Sequence, residues 1–536
     1  MQRKLLSLTL LTVAAVILPT QLSAQCPAIP LSVLGGTWTF NVLGLPIGAF
    51  PQANSLAVAG QFTASIGRDL AGNPLGVLTI NATTALNNSF TRQETNTGRY
   101  QINETCTGGT LTMNLGSYPM QYDFWFANGG QSLNLVSTLS GKSATGTAVP
   151  GATSCPVGVA LSVLAGPYAL KLQTTSDNEN ETHGMAGRLV ASPGTDLGGN
   201  ALGLLTITAT SNFTNPISIT RLERDAGRYQ INRDCTGGTL TFNLSSRPLQ
   251  FEFYFRADFQ ELYVVSSTGL PIYGVITRAA AAPAVCPVNS LSLLNGPWTF
   301  NMQTVSDVPA STNFTVAGRW LASQSTDRNG NPVGALAINA SSLFTGRLFG
   351  PSPTRQENSA GSYQVNEDCT GGTLTMNLGS FPMQYDFWFF DNNRQIYFVS
   401  TRNGVGATGS ATLGVSGCPV GVSPLSLLSG TYSFRFQRVP NFAFQREAFG
   451  IAGLFSVTAP GQLAILATAS LGAEGSITRL EGDAGRYQIN PDCSGGSLLF
   501  NLSSRPAQYE FYFREGFQSF DVISQVGPGA YGLVTR

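Results

Sequence analysis

Gln121-Tyr122-Asp123-Phe124-Trp125-Phe126 alternates apolar with polar or amphipathic residues, and it occurs four times. The other copies are Gln250-Phe251-Glu252-Phe253-Tyr254-Phe255, Gln384-Tyr385-Asp386-Phe387-Trp388-Phe389 and Gln508-Tyr509-Glu510-Phe511-Tyr512-Phe513. Successive side chains of a strand point to opposite faces. Tyr122, Phe124 and Phe126 therefore form a core face, and Gln121, Asp123 and Trp125 an outer stripe. Four copies of one strand mean one folding unit used four times.

The rest of the unit repeats with it. Each unit opens at a cysteine, Cys26, Cys155, Cys286 and Cys418, and these lie 129, 131 and 132 residues apart. That period is domain-sized, so each unit can bury its own core, unlike a short solenoid repeat. A second cysteine follows in every unit. One bridge per unit is the economical pairing: Cys26/Cys106, Cys155/Cys235, Cys286/Cys369 and Cys418/Cys493. Closing a loop of about 80 residues is worth roughly 4 kcal/mol in the chain-entropy model.

In the first unit, short alternating runs (Thr37–Phe40, Val58–Ser65, Gly76–Thr84, Phe90–Glu94, Arg99–Asn103, Thr110–Leu115, Met120–Phe126, Ser132–Thr138, Ala144–Val149) are separated by Gly, Asn and Pro turns. Eight or nine strands with no helical period predict an all-β fold. The expectation is four tandem antiparallel β-barrels or sandwiches in a row, with one disulfide inside each. A closed meander would leave no sticky edges. Units are expected at 25–150, 155–278, 286–412 and 418–536. The tethers between them, such as Pro150–Ser154 and Leu413–Gly417, are short and predict a stiff array. Units 1 and 3 share Asp and Trp in the stripe, and units 2 and 4 share Glu and Tyr, so a two-unit block was duplicated and odd and even units are expected to contact each other.

Residues 1–24 read as a secretory signal. Arg3 and Lys4 precede the apolar run Leu5–Leu18, and Leu22-Ser23-Ala24 offers a cleavage site. The run is too short for a comfortable membrane span. Paired cysteines fit export to an oxidising compartment, periplasmic, cell-surface or secreted. Charge is sparse and balanced, 29 basic against 29 acidic residues, which leaves no electrostatic footprint for nucleic acid.

Gly36-Thr37-Trp38 and Gly296-Pro297-Trp298 resemble the Gly-x-Trp opening of lipocalins, and the late Arg278 and Arg536 resemble the arginine that packs over that tryptophan. The even units carry Tyr168 and Tyr432 in place of tryptophan. The resemblance implies calycin-like eight-stranded barrels and, with them, small apolar ligands held in the lumens.

Three constellations bear on function. Thr-Arg-x-Glu places Arg92/Glu94, Arg221/Glu223, Arg355/Glu357 and Arg479/Glu481 on one strand face, where they could grip a polar ligand, bridge to a neighbouring unit or form an exposed ion pair of little worth. Gly-Arg-Tyr-Gln-Ile-Asn (Arg99/Tyr100, Arg228/Tyr229, Arg486/Tyr487) reads as one arm of a hairpin pinned by the disulfide. The stripe (Gln121/Asp123/Trp125, Gln250/Glu252/Tyr254, Gln384/Asp386/Trp388, Gln508/Glu510/Tyr512) sets aromatics on a polar face, a pattern suited to sugar or protein recognition, or to covering the next unit. Catalysis has little to work with. His183 is the sole histidine, so no Ser-His-Asp set can repeat, and no Cys-x-x-Cys supports zinc. Glu94 with Asp123 is the one carboxylate pair to consider for hydrolysis. The expectation is an exported, non-enzymatic protein without cofactor or metal. Its role would be structural, adhesive or partner-binding, toward a protein or glycan surface or itself. The alternative is a carrier of small apolar molecules.

Overall fold

The structure is a computed structural model. It describes residues 26–536 apart from 46–55, 87–88, 116–117, 139–142, 157–160, 175–182, 196–198, 200, 215–216, 245–246, 269–271, 281–285, 306–312, 346–351, 379–380, 402–405, 439–448, 472–475, 503–504 and 527–529. Residues 1–24, read from the sequence as a signal, lie outside the described residues.

Four closed eight-stranded antiparallel barrels follow one another along the chain. Barrel 1 comprises β1 (Gly36–Leu45), β2 (Leu56–Arg68), β3 (Pro74–Leu86), β4 (Ser89–Ile102), β5 (Gly108–Leu115), β6 (Tyr118–Ala127), β7 (Ser132–Ser137) and β8 (Ser143–Pro150). Each strand pairs with the next, and β8 returns to β1 over Trp38↔Pro150 to Leu45↔Ser143. Barrel 2 runs from Gly166–Thr174 to Ile272–Arg278, barrel 3 from Gly296–Val305 to Gly406–Leu413, and barrel 4 from Thr431–Arg438 to Ala530–Thr535. Closure removes every edge, and the sandwich alternative falls away. The runs Phe90–Glu94 and Arg99–Asn103 belong to one strand, β4. Its pairing with β3 shifts between Ile80 and Ala82, and Thr95 there takes φ 56°. One extra residue bends the strand without ending it.

The four disulfides join Cys26–Cys106, Cys155–Cys235, Cys286–Cys369 and Cys418–Cys493. The second cysteine of each pair sits in the turn after the fourth strand with φ between 52° and 56°. Asn103 Oδ1 holds that turn in barrel 1, accepting from the Thr107 amide at 3.0 Å. The tyrosine of Gly-Arg-Tyr-Gln-Ile-Asn, and of its third-unit counterpart with Ser362 in place of the arginine, ties the same end shut. Tyr100, Tyr229, Tyr363 and Tyr487 donate their hydroxyls to the carbonyls of Leu31, Leu161, Leu291 and Leu425, in the segment that enters each barrel, at 2.9, 2.9, 3.0 and 2.7 Å.

The inward alternation of the strands fills the lumens. Trp38, Phe40 and Phe62 are buried inside barrel 1; Trp298, Phe300 and Trp320 inside barrel 3. In barrel 4 Phe434, Phe436, Phe455, Phe500 and Tyr509 stack ring against ring at 4.9–6.1 Å. Trp38 Nε1 and Trp298 Nε1 donate to Leu34 O and Leu294 O at 2.9 and 2.7 Å. In barrel 2 the arginine-over-aromatic arrangement occurs with tyrosine: Arg278 lies 5.5 Å from the Tyr168 ring centroid and donates to Ala165 O at 2.7 Å.

The row of barrels closes in space. Barrel 2 packs on barrel 1, barrel 3 on barrel 2, barrel 4 on barrel 3, and barrel 1 on barrel 4. Each of these four contacts joins an odd and an even unit. The tethers are part of the packing: Ala152 is buried in the core of barrel 2 and Val415 in that of barrel 4. Isolated bridges Gly151↔Arg256 and Gly414↔Arg514 staple those two joints.

Because the lumen of barrel 3 is built around Trp298, Trp298→Ala should cost about 3–5 kcal/mol. It should show as a lowered urea midpoint for the part of the transition reported by near-ultraviolet dichroism.

Candidate functional site

The outer stripe of the sixth strand is closed over by the barrel that precedes it around the ring, so of the two sequence-based expectations, an open recognition face or a cover between units, the second describes it. Trp125, Tyr254, Trp388 and Tyr512 are 3–6% exposed, while Gln121, Gln250, Gln384 and Gln508 stay at the surface. The faces they meet are small and apolar. Tyr254 lies on Ala57, Ala59 and Ala85, Trp388 on Ala169 and Ala186, Tyr512 on Ala317 and Leu343, and Trp125 on Ala452 and Leu454. Alanine lets one barrel wall approach another closely enough to bury a ring.

A hydroxyl on the third strand meets each stripe. Thr210 and Thr468 donate to Asp386 Oδ2 and Asp123 Oδ2, both at 2.6 Å. Thr83 Oγ1 lies 3.0 Å from Tyr254 OH. Ser341 donates to Glu510 and lies 3.2 Å from Tyr512 OH. Glu252 is buried beside Tyr254. Arg221 of the Thr-Arg-x-Glu motif reaches across to Asp386, with Nε–Oδ2 2.8 Å and Nη2–Oδ1 3.1 Å. This motif residue thus bridges to a neighbouring unit. The side chains of Arg92, Glu94, Glu223, Arg355, Glu357, Arg479 and Glu481 lie outside the described residues. The acids and aromatics of the stripe are buried in the chain's own joints and act as cover between units, because an aromatic flanked by an acid fits the alanine and hydroxyl face beside it.

Ring closure creates a second feature that sequence reasoning missed. The first strands of all four barrels converge on the ring axis around a cavity of about 290 Å³. Equivalent positions supply Asn41, Lys171, Asn301 and Arg435, an amide from each odd barrel and a cation from each even one. Gln173, Gln303, Gln437, Tyr273, Tyr531, Arg514 and Asp521 complete the polar wall. Arg514 and Asp521 form a bidentate pair, Nε–Oδ2 3.0 Å and Nη2–Oδ1 2.8 Å. Lys171 Nζ sits 5.5 Å from the Tyr397 ring centroid. The only hint in the sequence is that Lys171 and Arg435 occupy one outward position of the first strand in a chain where charge is scarce.

Burial brings the Lys171 ammonium down to about 8; Arg514 adds to the fall and Asp521 opposes it. Burial also lowers the Arg435 guanidinium, against the favourable pull of Tyr531, Tyr263 and Tyr273. Burial pushes the Tyr273 phenol up to about 12 and that of Tyr531 higher.

No family model and no curated protein matches the chain. Among solved structures it is similar to a protein of unknown function of the DUF3598 family from Nostoc punctiforme, at 11% identity over 47% of this chain and 97% of that one, with TM-score 0.16. A candidate AttH from Nitrosomonas europaea is similar at 8% identity over 70% and 92%, TM-score 0.16. Superpositions at these scores establish no common architecture.

The barrel 4–barrel 1 joint has no tether across it, so it tests the ring. Trp125→Ala with Val136→Asp removes its ring and buries an unpaired carboxylate. The double variant should open the ring and raise the radius of gyration in small-angle scattering; an unchanged curve would count against closure.

Lys171 gives a pH test with a definite sign. Its folded pKa is depressed, so from about 8 toward the ordinary 10.5 the unfolded chain binds the extra proton and stability rises with pH. The raised tyrosines act oppositely above their ordinary 10.0, where the unfolded chain loses phenolic protons first. Arg514, Asp521, Arg435, Tyr397, Tyr273 and Tyr531 are the charged and titratable groups around it. Lys171→Met should therefore exceed wild type in urea midpoint near pH 7, and the gap should shrink by about pH 9.5.

Proposed function

We propose that this chain is an exported, non-enzymatic structural and partner-binding protein that works as a rigid ring-shaped platform at or outside the cell surface. One observation carries the reading: the four aromatic stripes are used up in closing the ring, which fixes the barrels and leaves their ends to face outward. Four internal disulfides and the absence of any free cysteine fit an oxidising compartment. Among the described residues no helix is long and apolar enough to cross a membrane.

The outward ends are not uniform. At the end where the first strands begin, Leu70, Val288 and Val420 are fully exposed, with Ile29, Ile66, Val190, Leu204, Leu321, Val422 and Leu425 around them at 36% or more. Head-to-tail joints of one kind orient all barrels alike, so these residues share one side of the ring. Apolar residues gathered on one side of the ring would give a protein or glycan surface something to dock on, whereas the same residues scattered singly would not. The carrier reading needs room in the lumens, and the stacked aromatic side chains found there favour the structural role.

Leu70→Asp, Val288→Asp and Val420→Asp combined should leave elution and dichroism unchanged while releasing the exported chain from the cell-associated fraction into the medium. Retention of the triple variant on cells, or recovery of wild type with alkylatable thiols from the cytosol, would overturn the reading.

A further inference from the structure

We propose that the axial cavity is a binding site for one small oxyanion of charge −2 or more, with carboxylate or phosphoryl oxygens gathered by donors from the barrels around the axis. This does not depend on what the outer faces of the ring engage.

The case rests on counting donors against acceptors. The side-chain carbonyl and carboxylate oxygens of the wall already accept hydrogen bonds. Gln437 Oε1 accepts from Thr145 at 3.0 Å, Gln173 Oε1 from Thr408 at 2.7 Å, and Gln303 Oε1 from Tyr531. Asn41 Oδ1 accepts from Thr147 at 2.9 Å and Asn301 Oδ1 from Ser410 at 3.3 Å. Asp521 takes both Arg514 contacts and a third from Asn301 Nδ2 at 2.7 Å.

The donors are not exhausted. Tyr273 accepts from Gln173 Nε2, which leaves its own hydroxyl proton to give. Among the described residues that proton, the Asn41 amide, the Lys171 ammonium and the Arg435 guanidinium meet no hydrogen-bond acceptor. All four groups line the cavity. Its wall carries three cations and one carboxylate, and that carboxylate is spent on Arg514. Two positive charges without a carboxylate partner among the described residues therefore face one shared, partly open cavity. Buried charges ordinarily come with partners, because removing them from water without one is costly. A planar guanidinium, an ammonium and neutral N–H and O–H donors together are the chemistry that binds carboxylate and phosphate oxygens. At about 290 Å³ the space stands at the small end of ligand cavities, which selects a compact anion over a nucleotide or a lipid headgroup with its chains.

The test uses the full chain in low-salt buffer near neutral pH. Citrate, inorganic phosphate and sulfate are titrated separately by calorimetry, with chloride as the monovalent comparison. At least one of the three should bind at one per chain with Kd below about 1 mM, and the arms tell carboxylate from phosphoryl preference. Lys171→Asn with Arg435→Asn, which gives the even barrels the residue of the odd ones, should weaken binding by more than about tenfold. Arg99→Gln with Arg228→Gln, which removes two exposed cations away from the axis, should leave it unchanged. If the axial double variant fails to fold, Tyr273→Phe decides, since it deletes one donor and no charge: a several-fold loss supports the site, and unchanged affinity overturns it. The site is equally overturned if no oxyanion binds below about 10 mM, if the folded double variant binds as wild type, or if the surface variant loses as much.

Discussion

The architecture depends on one joint, used four times: an aromatic ring and an acid on the sixth strand of one barrel set against small apolar residues and a hydroxyl on the first three strands of another. The ring supplies apolar area, and the acid supplies register. A buried carboxylate must keep a donor, and Thr210 with Arg221 provides it for Asp386 as Thr468 does for Asp123. Sliding one barrel along its neighbour would strand the acid in an apolar wall. The contact is heterologous, each barrel using a different face toward its two neighbours. Such contacts build filaments unless the rotation closes. Here it closes after four.

Closure has a consequence for charge. The first strands end up facing one another, so outward residues that would be solvated on an isolated barrel become the wall of a shared cavity. Lys171 and Arg435 are then only partly solvated, and the cost of partial burial lowers the pKa of both. Proteins tolerate such groups where function needs them, with the stability drawn from elsewhere. In this chain it is drawn from packed lumens, four disulfides and tether residues such as Ala152 and Val415 buried in the next core.

Much of the fold was legible because it is local. Alternation in Tyr122, Phe124 and Phe126 told inside from outside, fourfold recurrence told the number of units, and equivalent cysteines told the pairing. The bulge at Thr95 was not legible, since a single left-handed residue in a polar run reads as a break between strands. The stripe was legible as a recognition surface and illegible as to its partner. Trp125 announces that something covers it; only the relative placement of barrels says that Ala452 and Leu454 do. The axial residues were the least legible. Lys171 is one outward residue among many, and its meaning comes from three strands that lie 130 or more residues away in the chain.

The odd–even alternation ties these levels together. In a closed ring of four, barrels 2 and 4 stand across the axis from each other, as do barrels 1 and 3. A two-unit repeat therefore places its cations opposite one another and its amides between them. Four cations at this position would repel strongly in a medium less polar than water. Four amides would create no field to draw an anion in. The pairing of Lys171 and Arg435 with Asn41 and Asn301 lies between these extremes, holding enough charge to need a counterion and little enough for the ring to close without one. Identical units could not have produced it; two kinds of unit, each present twice, do.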